Sequence, residues 1–130
     1  MIEQIDPAAA WQFMLNHPEH VLLDVRDPIE FAMIGHPPEA KNVPWKFAPG
    51  WRINPDFLEG VKQLVPDVAT PVLLLCRSGQ RSQEAAEQLA AAGYLKLYNI
   101  CEGFEGPLDD DRHRSSRGGW RFRGLPWEQN

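Results

Sequence analysis

The sequence predicts an α/β fold, an open, mostly parallel sheet with helices on both faces. Three observations predict it. The runs Val21 to Val25, Val72 to Leu75 and Leu95 to Ile100 are short and rich in aliphatic residues, as strands buried on both faces are. Helix-like stretches with start signals lie between them, the order that builds a parallel sheet. The 130 residues make one domain, large enough for a real core and too small for two.

The elements follow in order. Asp6-Pro7 reads as an N-cap with proline at the first helical position, and Trp11, Met14 and Leu15 then form one helix face. Val21 to Val25 is a strand, with Asp24 and Arg26 at its C-terminal end. Asp27-Pro28-Ile29-Glu30 repeats the cap-plus-proline signal, with Glu30 completing a capping box. That helix runs through Met33 and ends near Gly35-His36-Pro37-Pro38. Lys41 to Lys46 reads as a short strand interrupted by Pro44. Asn54-Pro55 opens a helix with Phe57, Leu58, Val61, Leu64 and Val65 at helical spacing. Val72 to Leu75 is the central strand. Ser82 to Ala92 is the best-marked helix, with Ser82 as cap, Glu84 and Glu87 in the first turns, an apolar face of Ala85, Ala86, Leu89 and Ala90, and Gly93 as its stop. Leu95 to Ile100 is the last strand. After Gly106 the periodicity fades, and 109–119 reads as a polar loop.

Composition narrows the function classes. A net charge of −5 argues against nucleic acid as the main partner. Residues 105–130 hold five acids and five arginines, so the acidic excess lies in the rest of the chain. Trp120, Phe122 and Trp127 are interleaved with those arginines. Trp120, Leu125 and Trp127 are expected to bury against the domain, with the alternative that segment 112–123 overhangs the site or meets a partner. No apolar run approaches the length of a bilayer span, and no secretory signal is visible at the N-terminus. The cytoplasm is the expected location, with no membrane partner. Two cysteines do not make a disulfide scaffold. His17 and His20 flank Pro18, which spoils a helical metal-binding spacing, and no metal is expected.

The chemistry concentrates in Cys76-Arg77-Ser78-Gly79-Gln80-Arg81-Ser82. A thiol ends an apolar strand, a glycine turn follows, and a helix begins. Backbone N–H groups of such a turn and the helix start gather positive potential on the sulfur. Arg77 and Arg81 add to it. The thiolate is the reactive form of cysteine, and these surroundings favour it. The alternative is plain: a lone cysteine ending a strand is often just a small buried hydrophobe. In open parallel sheets, however, ligands bind at the carboxyl ends of strands, where Cys76 lies.

Four ordered blocks carry a resemblance. They are Leu23 to Phe31, Gly35-His36-Pro37 leading to Ala40 to Pro44, the Cys76 to Ser82 loop, and Asn99 to Phe104 with Gly118-Gly119-Trp120 and Gly124 to Trp127. Across roughly residues 3 to 127 the chain resembles the rhodanese homology domain, specifically the single-domain bacterial sulfurtransferases. The resemblance implies a five-stranded sheet, a catalytic domain over residues 1–106, and a C-terminal tail, 107–130, packed on the same domain. It implies that Cys76 takes a sulfane sulfur from a small anionic donor such as thiosulfate and passes it from a persulfide to an acceptor, which can be a protein. Arg77, Ser78, Gly79, Gln80, Arg81 and Ser82 would bind the substrate, the arginines holding donor oxygens and Gly79 supplying the tight turn. No cofactor is implied.

Related phosphatases of this architecture carry five residues between cysteine and arginine, whereas here four separate Cys76 from Arg81. The smaller ring resembles the sulfur-transferring branch. A small phosphatase or arsenate reductase is the runner-up, and a persulfide relay without turnover is the non-enzyme alternative. Two positions depart from the family pattern. Pro38-Glu39 replaces proline-glycine, which is expected to reshape a turn without touching the chemistry. Cys101 replaces an aliphatic residue, and its expected role is a packed small hydrophobe, with disulfide resolution of a Cys76 persulfide as the alternative. For Asp24, Arg26 and Glu30 a structural ion pair or cap is expected, and for His36 a local bond in its turn.

Overall fold

A computed structural model describes residues 1–130. Strands β1 (Ile2–Ile5), β2 (Val21–Asp24), β3 (Lys41–Asn42), β6 (Val72–Leu75) and β7 (Leu97–Ile100) form one sheet in the order β1-β7-β6-β2-β3. Every pairing in it is parallel. A separate antiparallel pair joins β4 (Lys46–Phe47) to β5 (Arg52–Ile53). The helices are α1 (Pro7–Asn16), α2 (Pro28–Ile34), α3 (Phe57–Leu64) and α4 (Gln80–Ala91).

The two-residue period of a strand sorts the core into two layers. Val72, Leu74 and Cys76 face α3 and α4 with Phe57, Val61, Ala85, Ala86 and Leu89. Leu73 and Leu75 face the other way, with Ala10 and Met14 of α1, Phe104 and Trp120. All four residues of β6 are buried, because its neighbours and both helical layers enclose it. From β2 the chain steps outward to β3, and from β6 it steps the opposite way to β7. The reversal lies between the carboxyl ends of β2 and β6, the position where such sheets hold ligands.

Caps fall where the sequence places them for α1 and α2. Asp6 accepts from Ala9 N, and Asp27 and Glu30 complete a capping box over α2. Gly93 ends α4 in the left-handed region, with Gly93 N donating to Ala90 O and Tyr94 N to Leu89 O, a Schellman closure. The fully buried Arg26 side chain donates through Nη2 to Asp24 Oδ2 and to Gly35 O, both at 2.6 Å. That pair ties the end of β2 to the end of α2. His36 Nδ1 bonds locally to Pro37 O, and Glu39 pairs with His20.

Several expectations are corrected. α4 starts at Gln80 with Gly79 as its cap residue, so Ser82 sits inside the first turn and caps nothing. α3 starts at Phe57, because the Asn54 side chain accepts from Asp56 N and holds Asn54 to Asp56 in a turn. Lys41 to Lys46 is divided between β3 and β4, which belong to different sheets. Leu15, at 58% exposure, is off the buried face of α1. β1 is an additional strand, at an edge where only one neighbour demands regular pairing. Trp120 is fully buried, whereas Trp127 keeps 42% exposure while its ring packs on Gly35 and Phe104. Glu102 fastens the C-terminal segment, accepting from Gly119 N and from Arg123. No helix is long and apolar enough to cross a membrane.

Candidate functional site

The loop leaving β6 turns sharply at Gly79, whose φ of 103° and ψ of −9° are left-handed. A Cβ there would stand 2.2 Å from the carbonyl oxygen of Cys101, so glycine is required by conformation and by space. The turn aims the Gly79 N–H at Cys76 Sγ, 3.1 Å away. Ser82 Oγ lies 3.2 Å from the same sulfur and 2.6 Å from Asn99 Oδ1. The N–H groups of Gln80, Arg81 and Ser82 belong to the first turn of α4, which has no intrahelical acceptors to offer them.

Above the loop is a cavity of about 220 Å³. Cys76, Arg77, Ser78, Gln80 and Arg81 of the loop and helix start line it, together with Lys46, Trp51 and Glu84. The cysteine is only 1% exposed, yet it belongs to that lining. Its sulfur is therefore at the floor of an open cavity, approached from one side.

The cations around the cavity are not equivalent. Arg81 donates through Nη1 and Nη2 to the two carboxylate oxygens of Glu30, at 2.7 and 3.0 Å, and stacks over Trp51. Burial alone would raise the Glu30 pKa, but the Arg81 hydrogen bonds and charge overcome it and hold the carboxyl below its ordinary value. Arg81 resists burial's downward pull in the same way and is raised. Lys46 pairs with Glu84 at 2.8 Å, and that hydrogen bond lowers the Glu84 pKa. Arg77 has no such partner, and its buried Nε meets no acceptor. Arg114 reaches in from the C-terminal segment, donating to Gly106 O at 2.7 Å, while Gly106 N donates to Arg77 O. Burial and then the Arg77 charge lower the Arg114 pKa.

All seven residues from Cys76 to Ser82 come together. Five line the cavity, while Gly79 and Ser82 support the sulfur from beside it. Arg81, expected to hold donor oxygens, has both terminal nitrogens engaged by Glu30, so Arg77 is the loop cation left uncompensated. Sequence reasoning missed Lys46, Trp51 and Asn99, whereas Arg114 lies in segment 112–123, for which an overhang of the site is the alternative expectation. Only the even spacing of Asn99 from Leu97, which puts both on the α4 face of β7, carried any signal. Cys101 is not a packed hydrophobe: it is exposed. Partial desolvation and the neighbouring Glu102 carboxylate push its thiol pKa up.

Cys76 thus follows the central strand of a parallel α/β sheet at its carboxyl end, lines a cavity and receives the Gly79 N–H. The chain belongs to the rhodanese-like domain family, whose model matches residues 6–108. A Rickettsia conorii protein described as uncharacterised is 31% identical over 128 residues, covering 98% of each chain. Thiosulfate sulfurtransferase 18 of Arabidopsis thaliana is 42% identical over 89 residues, 65% of this chain and 64% of that protein. A crystal structure from M. tuberculosis superposes with a TM-score of 0.89 at 39% identity over 98% of both chains. An E. coli rhodanese solved with anions shares the fold, with a TM-score of 0.57 at 23% identity over 85% of this chain and 99% of that one. Family membership supports a sulfurtransferase-family role.

Proposed function

We propose that this protein is a sulfurtransferase that carries a sulfane sulfur as a persulfide on Cys76, loaded from a small anionic donor such as thiosulfate. The observation that carries the reading is the Cys76 sulfur at the cavity floor with the Gly79 N–H directed at it. The thiolate attacks the outer sulfur of thiosulfate. One S–S bond forms, the S–S bond of the donor breaks, and sulfite leaves with the electron pair. The negative charge then rests on the terminal persulfide sulfur, beside the unpaired amides at the start of α4. Arg77, with Arg114 behind it, attracts the dianion, and guanidinium suits its oxygens. Transfer onward requires a thiophilic acceptor to attack that terminal sulfur and restore the Cys76 thiolate. An acceptor that is itself a protein thiol would have to present it at the open cavity mouth.

The four-residue spacing from Cys76 to Arg81 favours a sulfur-sized cradle over a phosphate-sized one. Intact mass after incubation with thiosulfate tests the reading. A gain of one sulfur atom, lost in Cys76→Ser, is expected. Release of phosphate from an aryl phosphate without any such gain would replace this reading by phosphatase chemistry. Poor thiosulfate turnover beside fast loading from a protein persulfide would mark a relay.

A further inference from the structure

Asn99 is the third residue of β7 and is 2% exposed. A buried amide needs partners for its polar atoms, and these it has. Nδ2 donates to Gln4 Oε1 at 2.8 Å and to Gly79 O at 3.1 Å, and Oδ1 accepts from Ser82 Oγ at 2.6 Å. The Gly79 carbonyl is a backbone acceptor that cannot exchange roles, so it settles the amide's orientation, nitrogen toward Gly79 and oxygen toward Ser82. An amide oxygen has no proton to give. The 2.6 Å contact therefore uses the one hydroxyl hydrogen of Ser82. What Oγ then presents to Cys76 Sγ, 3.2 Å away, is a lone pair. A thiol can donate into that lone pair, but a thiolate cannot. For Ser82 to stabilise ionised sulfur, its hydroxyl must turn from Asn99 to Sγ, a rotation about one C–O bond in which no covalent bond changes.

We propose that Asn99 is a positioning residue of the sulfur site: it competes with Cys76 for the single hydrogen of Ser82 and so sets how readily the sulfur ionises. Gly79 N–H serves the sulfur in either state, whereas Ser82 serves it only at the expense of the Asn99 bond. The proposal deepens the sulfurtransferase reading and rests on it only for the use to which the ionised Cys76 is put. The charged groups around the sulfur are Arg77, Arg81 and Glu84 of the loop and α4, Lys46 of β4, Glu30 of α2, Asp24 of β2 and Arg114. None of them changes in the variants below, so differences report the hydrogen bond.

The test is the pH midpoint of Cys76 alkylation by iodoacetamide in the full chain, read by peptide mass spectrometry so that Cys101 is counted apart. Asn99→Leu frees the hydroxyl and should lower the midpoint by about one pH unit, roughly a tenfold gain in labelling below it. Ser82→Ala should raise the midpoint by about half a unit. In the Ser82→Ala background, Asn99→Leu should have no further effect, whereas a merely structural loosening would act in both backgrounds. An unmoved or raised midpoint in Asn99→Leu, or the same shift with and without Ser82, overturns the proposal. Ser82→Ala removes one small group, so it decides the matter even where Asn99→Leu does not fold: an unmoved midpoint overturns it. Shifts as expected, with no sulfur gained from thiosulfate or from a protein persulfide, would leave this inference standing and remove the sulfurtransferase reading.

Discussion

Cys76 and Cys101 leave neighbouring parallel strands at the same end of the sheet, and their surroundings are opposite. Cys76 is buried beneath a cavity, receives the Gly79 N–H and stands beside uncompensated Arg77. Cys101 is open to solvent, and partial desolvation, then Glu102 and Asp6, press its thiol toward the protonated form. Exposure alone therefore does not describe the two sulfurs. What distinguishes the two thiols is which groups face the sulfur, and those are set by one glycine turn and one helix start.

The most drastic way to break the comparison is Cys76→Ser. Persulfide formation from thiosulfate should vanish completely in intact mass while the melting temperature stays near wild type. Loading that survived on Cys101 would mean the two environments had been misjudged. Next in size is Gly79→Ala, which forces a Cβ into the Cys101 carbonyl and strains the left-handed turn. Urea denaturation should show a loss of about 3 kcal/mol, along with loss of sulfur loading. Glu30→Gln comes third, since it leaves the Arg81 guanidinium half-buried with a weaker partner. A loss of about 2 kcal/mol at neutral pH is expected. Because the folded-state pKa of Glu30 lies below its ordinary 4.5, its contribution is present above that value and disappears as pH falls through the folded pKa. Wild type and Glu30→Gln should converge in stability on acidification below about pH 4.5. A gap that widened in acid would contradict the ion pair. The smallest effect belongs to Cys101→Ser, expected within about 0.5 kcal/mol of wild type as an exposed, unpartnered change. Its sulfur loading should equal that of the parent, and a Cys76–Cys101 cross-linked peptide after mild oxidation would overturn the separation of the two thiols.

Much of the fold was legible because its signals are local. Asp6-Pro7 and Asp27-Pro28 with Glu30 announce two helix starts through caps a few residues long. The aliphatic run at Val72 announces a strand enclosed on both sides. Other features needed partners distant in the chain. β1 has little periodicity of its own and becomes a strand only by pairing with β7. Ser82 looks like a cap in sequence, but the glycine turn before it starts α4 two residues earlier and places its Oγ between the sulfur and Asn99. Arg81 looks like a free cation until Glu30, from a helix 51 residues away in sequence, claims both of its terminal nitrogens.

By itself, the order of residues determined a parallel α/β domain and a thiol at the carboxyl end of its central strand, since strand burial and turn chemistry are written in neighbouring residues. Which cation stays uncompensated, where the Ser82 hydrogen goes, and which of two cysteines meets donors rather than carboxylates were decided only by tertiary packing. Charge and hydrogen bonding act through space, and the groups that decide them here, Glu30, Asn99 and Arg114, reach the sulfur site from three separate parts of the chain.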